Sequence, residues 1–99
     1  MEKDKIESIE INDVGQLHLK TSKISFPMIY RTATEVHWNP DKHSLYSPQP
    51  RDWTYKMWFD HILHVAKKEC NYILELSEDT KWFNIPDNLK QEIENGEPG

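Results

Sequence analysis

Two histidines and an aspartate fall within DHILH, Asp60 to His64, the densest set of groups in the chain that could do chemistry. On a helix, His61 and His64 stand about 60° apart, three steps of about 100°, so both imidazoles could face one ion. Helical metal motifs use similar offsets, such as His at i and i+4. A metal site needs three or four ligands, and no further His, Asp, Glu or Cys cluster is spaced to supply them. His64 falls at the centre of the helix's polar side with Lys68 one turn on, and that charge disfavours a cation. Asp60 is better used pairing with His64 or Lys56. The sequence therefore predicts no metal and no cofactor here, and reads the two imidazoles as part of a solvated helix face.

A second set is Arg31, Glu35, His37, Ser44 and Tyr46, which strand alternation puts on one side of a two-stranded ribbon. Cross-strand neighbours there lie about 5 Å apart. A histidine beside a carboxylate can move a proton, but no nucleophile stands with a matched base, so no catalytic residue is assigned. The three glycines, Gly15, Gly96 and Gly99, leave no Gly-rich loop to cradle phosphate. If this face functions, binding is favoured over catalysis. A third set is aromatic: Tyr30, Trp38, Tyr46, Trp53, Tyr55, Trp58, Phe59, Trp82 and Phe83. Most are expected in the core. Trp53, Trp82 and Phe83 flank regular elements, so they are the expected half-exposed anchors of an interface.

The elements that must position these groups follow from periodicity. In IEINDVGQLHL, Ile9 and Ile11 alternate with polar residues, as do Leu17 and Leu19, and NDVG between them has turn chemistry. This predicts a hairpin with Ser8, Glu10, His18 and Lys20 on its polar face. The β-branched and aromatic run ISFPMIYRTATEVHW predicts a strand beginning after Pro27. NPDK turns the chain back through HSLYS, which sets Trp38 near His43 and Val36 near Leu45, and PQPR stops the sheet. Then Tyr55, Trp58, Phe59, Ile62, Leu63, Val65, Ala66 and Cys70 share one broad side at a 3.6-residue period. Thr54 is the expected N-cap, with Asp52 as the alternative, and Trp53 before it can staple onto Trp58. Lys67 and Lys68 suit the last turn, and Asn71 the stop. NYILEL reads as a strand whose pairing sense is open, KWFNI is ambiguous, and PDNLKQEIENG reads as a short helix ended by Gly96. The expectation is one α+β domain over residues 1–99 with a frayed tail: a mostly antiparallel sheet of about five strands, in the order β-β-β-β-α-β-α, with one main amphipathic helix packed on one face.

Composition narrows the function. Twelve basic against seventeen acidic side chains give a net charge of −5, which argues against nucleic acid and favours a basic protein partner. The single cysteine, Cys70, excludes an internal disulfide. No signal peptide and no membrane span are expected, so the chain reads as cytoplasmic.

The run IYRTATEVHWNPDKHSLYSPQPRDWTYKMWFDHIL, with Pro50, Trp53, Thr54, Trp58 and Phe59 opening the helix, resembles small orphan bacterial proteins of the integron gene-cassette and polymorphic-toxin immunity kind. That resemblance spans roughly residues 29 to 63 and implies a small partner-binding protein, with no catalytic residue carried across. The leading expectation is an acidic cytoplasmic binding protein, an immunity-type inhibitor or homodimeric accessory protein acting by protein contact. The rival is a small-ligand-binding domain or simple enzyme using Arg31, Glu35, His37 and Tyr46.

Overall fold

The computed structural model describes residues 2–32, 35–48 and 52–95. The core placement of Tyr30, the strand across Ala33 and Thr34, the helix-opening Pro50, the stop at Gly96 and the frayed tail all lie outside what is described. The elements in chain order are β1 (Glu2–Ile11), β2 (Leu17–Thr21), a 3₁₀ turn (Ile29–Thr32), β3 (His37–Asn39), β4 (Ser44–Tyr46), α1 (Tyr55–Cys70), β5 (Tyr72–Glu75), β6 (Lys81–Phe83) and α2 (Asp87–Glu94).

The six strands form one mixed sheet in the order β3-β4-β2-β1-β5, with β6 also on β1. β1–β2, β2–β4 and β3–β4 are antiparallel, whereas β5 and β6 run parallel to β1. The architecture is thus the expected α+β layer, with one strand more than expected because KWF pairs with β1. The hairpin register is as the alternation predicts, Ile9 opposite Leu19 and Ile11 opposite Leu17. β1 starts earlier than expected because residues 2–5 pair with β5, and a bulge between Ile6 and Ser8 changes its parity. In a regular strand Ile6 and Ile9 would face opposite sides. The extra residue turns both into the core, where both are fully buried. It also divides β1 between its two parallel partners: residues 2–5 pair with β5 and residues 8–10 with β6. Thr80 bridges the gap by donating from Oγ1 to the Ile6 carbonyl at 2.7 Å.

The expected strand after Pro27 is replaced by the 3₁₀ turn, and β3 is only three residues long. Glu35 has φ 64°, a left-handed conformation that no ladder tolerates, so extended structure begins after it. Trp38 pairs with Leu45 and His37 with Tyr46, a register shifted from the expected one. The turn is wider than a two-residue hairpin: Asn39 Oδ1 accepts from the backbone N–H groups of Asp41 and Lys42, and His43 takes φ 53°. The Trp38 and His43 rings still meet, edge to face at 4.8 Å.

Helix α1 starts as its sequence predicts. Thr54 is the N-cap, its Oγ1 accepting from Met57 N–H at 3.2 Å. Trp53 packs on Trp58 with ring centroids 4.8 Å apart. Asn71 ends the helix in the left-handed conformation. Trp58, Phe59, Ile62, Val65 and Ala66 pack against Ile6, Leu17, Leu19, Leu45 and Leu74 of the sheet and Leu89 and Ile93 of α2. Burying each aliphatic side chain of this kind contributes about 1.5–3 kcal/mol. Tyr55 Oη donates to the Gly15 carbonyl at 2.9 Å, tying the helix start to the β1–β2 turn. The helices therefore cover one face of the sheet, and its polar face carries the candidate site.

Candidate functional site

Strand register sets up the site. Glu10 lies opposite His18, His18 opposite Tyr46, and Tyr46 opposite His37, so four polar side chains form one row across β1, β2, β4 and β3. One step along, Ser8, Lys20, Ser44 and Asn39 form the next row. In the first row the His18 and Tyr46 rings stack with centroids 4.8 Å apart and planes 14° from parallel, and the His37 ring lies 5.3 Å from Tyr46. Polar alternation alone suggests solvent-exposed side chains. Instead His18 is 3 % exposed and Ser44 1 %.

Both ring nitrogens of His18 are engaged. Nδ1 lies 2.7 Å from Ser44 Oγ, and Nε2 lies 3.1 Å from Asn12 Nδ2. The amide of Asn12 is oriented by its own loop: Oδ1 accepts from the backbone N–H groups of Val14 and Gln16, and Nδ2 also donates to Gln16 Oε1. Nδ2 is therefore the donor toward His18, and Nε2 must accept. That leaves the imidazole neutral with its proton on Nδ1, donating to Ser44. Burial is the main influence holding the His18 pKa below its ordinary 6.5, and the Lys42 charge lowers it further while Glu10 acts in the opposite sense. Protonating Nε2 would set an N–H against the Asn12 N–H.

This tautomer decides what the chain of groups can do. A histidine that activates a serine must accept the hydroxyl proton. His18 presents an N–H to Ser44 and cannot take that proton. Ser44 instead accepts, and its own O–H is free to donate to something else. Ser44 lines a cavity of about 340 Å³ with Ser8, Glu10, His18, Lys20, Asp41 and Lys42. Lys42 Nζ stands 3.8 Å from Glu10 across the mouth.

Comparison with known proteins places the chain in a family. The family model described as Integron Cassette Protein Hfx_Cass5 matches residues 4–80. The chain belongs to the Hfx_Cass5 integron cassette family. A solved structure titled "Structure from the mobile metagenome of North West Arm Sewage Outfall: Integron Cassette Protein Hfx_Cass5" shares 38% identity over 96% of this chain and 95% of that one, with a TM-score of 0.51. No curated protein matches. The span matched by the Hfx_Cass5 family contains every residue lining the cavity, whereas β6 and α2 lie beyond it.

In this Hfx_Cass5 family member the residues expected to form the second set divide. His37 and Tyr46 share the polar face. Arg31 and Glu35 do not join them, because Arg31 sits in the 3₁₀ turn and Glu35 is left-handed. Arg31 instead borders a cavity with Phe26, Glu69, Cys70 and Tyr72. Of the aromatic set, Trp53 is 39 % exposed and Phe83 47 %, Phe83 pairing with Glu10 in the polar row. Trp82 is half-buried against the core, with Lys90 Nζ 5.5 Å from its ring centre. Sequence reasoning placed His18 on the polar face but did not single it out. The missing step was to pair β2 with β4, which joins the polar face of the hairpin to that of the second ribbon.

DHILH also finds its place. Asp60 pairs with Lys56, Oδ2 to Nζ 2.7 Å, one of the two partners expected for it. His61 packs edge-on against Trp53 and Trp58 at 5.1 and 5.6 Å, and His64 is exposed. Among the described residues no group of three or more His, Cys, Asp or Glu could hold a metal, and no helix is long and apolar enough to cross a membrane. Burial and the Glu69 charge push the Cys70 thiol up, away from the reactive thiolate.

Proposed function

We propose that this cassette protein works by binding, not by chemistry of its own, and that its contact surface is the polar face built on His18, Ser44, Tyr46 and His37. What supports the reading is the hydrogen-bond chain Asn12–His18–Ser44. It fixes a tautomer unable to activate Ser44, and it holds the Ser44 hydroxyl as a preorganised donor at the wall of a cavity. A network used for recognition gains from rigidity, and each member here is fixed by another. Two-bond ¹H–¹⁵N correlation spectra of the histidine rings test the reading. His18 should show a protonated Nδ1 and an unprotonated Nε2 at neutral pH. The opposite tautomer would restore a base to Ser44 and remove the argument against catalysis.

A second reading, protein contact, draws on a different observation. Trp53 and Met57 are exposed together at the start of α1, 39 % and 47 %, and Trp53 is held by ring contacts with Trp58, tilted, and His61, edge-on. A large, preorganised aromatic side chain is the residue type that anchors interfaces. The net charge of −5 favours a basic partner, as for an immunity-type inhibitor, whereas a homodimer would have to form on this aromatic patch against like-charge repulsion. The setting this reading requires is the cytoplasm, in keeping with a single cysteine. Light scattering on the purified chain separates the cases: a dimer lost on Trp53→Ala supports self-association, and a monomer for both chains removes it.

A further inference from the structure

The cavity at the polar face carries charges of both signs that the fold does not use. Lys20 and Asp41 line it, and neither has an ion-pair partner among the described residues. Lys42 and Glu10 approach only to 3.8 Å, with about half of the lysine side chain and a third of the carboxylate side chain in solvent. Such a pair contributes little and is readily exchanged for better partners. The wall between them is Ser44, 1 % exposed, whose oxygen accepts from His18 and whose proton has no acceptor among the described residues.

A plain anion on the Ser44 hydroxyl would be drawn by Lys20 and Lys42 but would also face the carboxylates of Glu10 and Asp41. A plain cation meets the reverse conflict. Only a ligand bearing both signs satisfies all four. At about 340 Å³, the cavity is at the small end of ligand sites, which run about 300–1,000 Å³. We infer that the cavity binds a small zwitterion of amino-acid size. Its carboxylate takes the Ser44 O–H between Lys20 and Lys42, and its ammonium group lies against Glu10 and Asp41. This inference rests on the binding reading above and names the ligand class of that same face.

The test is titration of the full chain, followed by ¹H–¹⁵N backbone spectra, with each common α-amino acid in turn at millimolar concentration. For any that binds, the same side chain is then presented without its amino group and without its carboxylate. Saturable shifts at Lys20, Lys42, Ser44 and Glu10 are expected for at least one amino acid, with affinity reduced about tenfold or more for both truncated forms. Ser44→Ala and Lys20→Met should each weaken binding by about tenfold. The exposed Lys20 substitution keeps the test valid if Ser44→Ala disturbs the fold. Equal binding of the carboxylate-only form would make the cavity a simple anion site and overturn the inference. So would the absence of shifts with every amino acid. If His18 shows the expected tautomer while no amino acid binds, the ligand class fails and the binding reading stands. An Nε2-protonated His18 fails the reading itself.

Discussion

In an Asn12→Asp chain the side-chain oxygen still accepts from Val14 and Gln16 N–H, and the Gln16 amide can turn to donate. What is lost is the donor to His18. At neutral pH the imidazole must either set its Nε2 lone pair against a carboxylate or change tautomer and give up the Nδ1–H bond to Ser44, and the loss of the native pattern costs about 1–3 kcal/mol. For a domain of this size each kcal/mol moves Tm by about 4–8 °C, so about 10 °C is expected near pH 8. Lowering the pH should reverse the effect. In the parent chain the folded His18 pKa is below 6.5, so the unfolded chain binds the extra proton. Its contribution to stability is full above the unfolded value and falls as pH drops through it toward the folded pKa. In the variant the new carboxylate raises the folded pKa above the unfolded value. Its contribution is then present at low pH and lost as pH rises through the folded pKa. Each unit of upward shift returns about 1.4 kcal/mol, so the deficit of roughly 2 kcal/mol near pH 8 should close by about pH 5.5. Urea unfolding of both chains across this range measures the difference, in which the other four histidines cancel. A deficit unchanged between the two ends would refute the assigned tautomer and the linkage drawn from it.

Other outcomes follow from the same contacts. Ile62→Ala removes a fully buried side chain and should cost about 2–5 kcal/mol in denaturant unfolding, whereas His64→Ala on the exposed side should change stability by less than about 0.5 kcal/mol. Thr54→Ala loses the cap to Met57 N–H and should cost about 1 kcal/mol. At Asn71, φ 63°, glycine should be tolerated and alanine should cost about 1 kcal/mol, because a Cβ without a local polar group is disfavoured in the left-handed region.

Helix α1 was legible because its information is local. Capping, the Trp53–Trp58 staple and the apolar stripe lie within a few residues, and each is met as read. The β1–β2 hairpin was legible for the same reason. The segment from Ile29 to Asn39 misled because β-branched and aromatic residues favour any half-buried extended surface. Its actual path follows from positive φ at Glu35 and packing of Ile29 and Val36 into the core, which periodicity does not encode. The site was half legible. His37, Ser44 and Tyr46 were expected on one face, but His18 enters it only through the long-range pairing of β2 with β4. The bulge at Ile6 was hidden because it breaks the period-2 alternation on which the hairpin is read, and the split partnership of β1 depends on β5 and β6, far along the chain.

That split partnership also governs the order of assembly. β1 meets β2 across a short turn, but its other edge waits for β5 and β6, roughly seventy residues downstream, the kind of distant pairing that slows folding. During synthesis β1 emerges well before β5 and β6, and that strand edge stays open until both have been made. A product truncated after α1 would keep the hairpin and the helix yet expose that edge, a template for pairing with other chains. The sheet closes only when β5 and β6 reach β1.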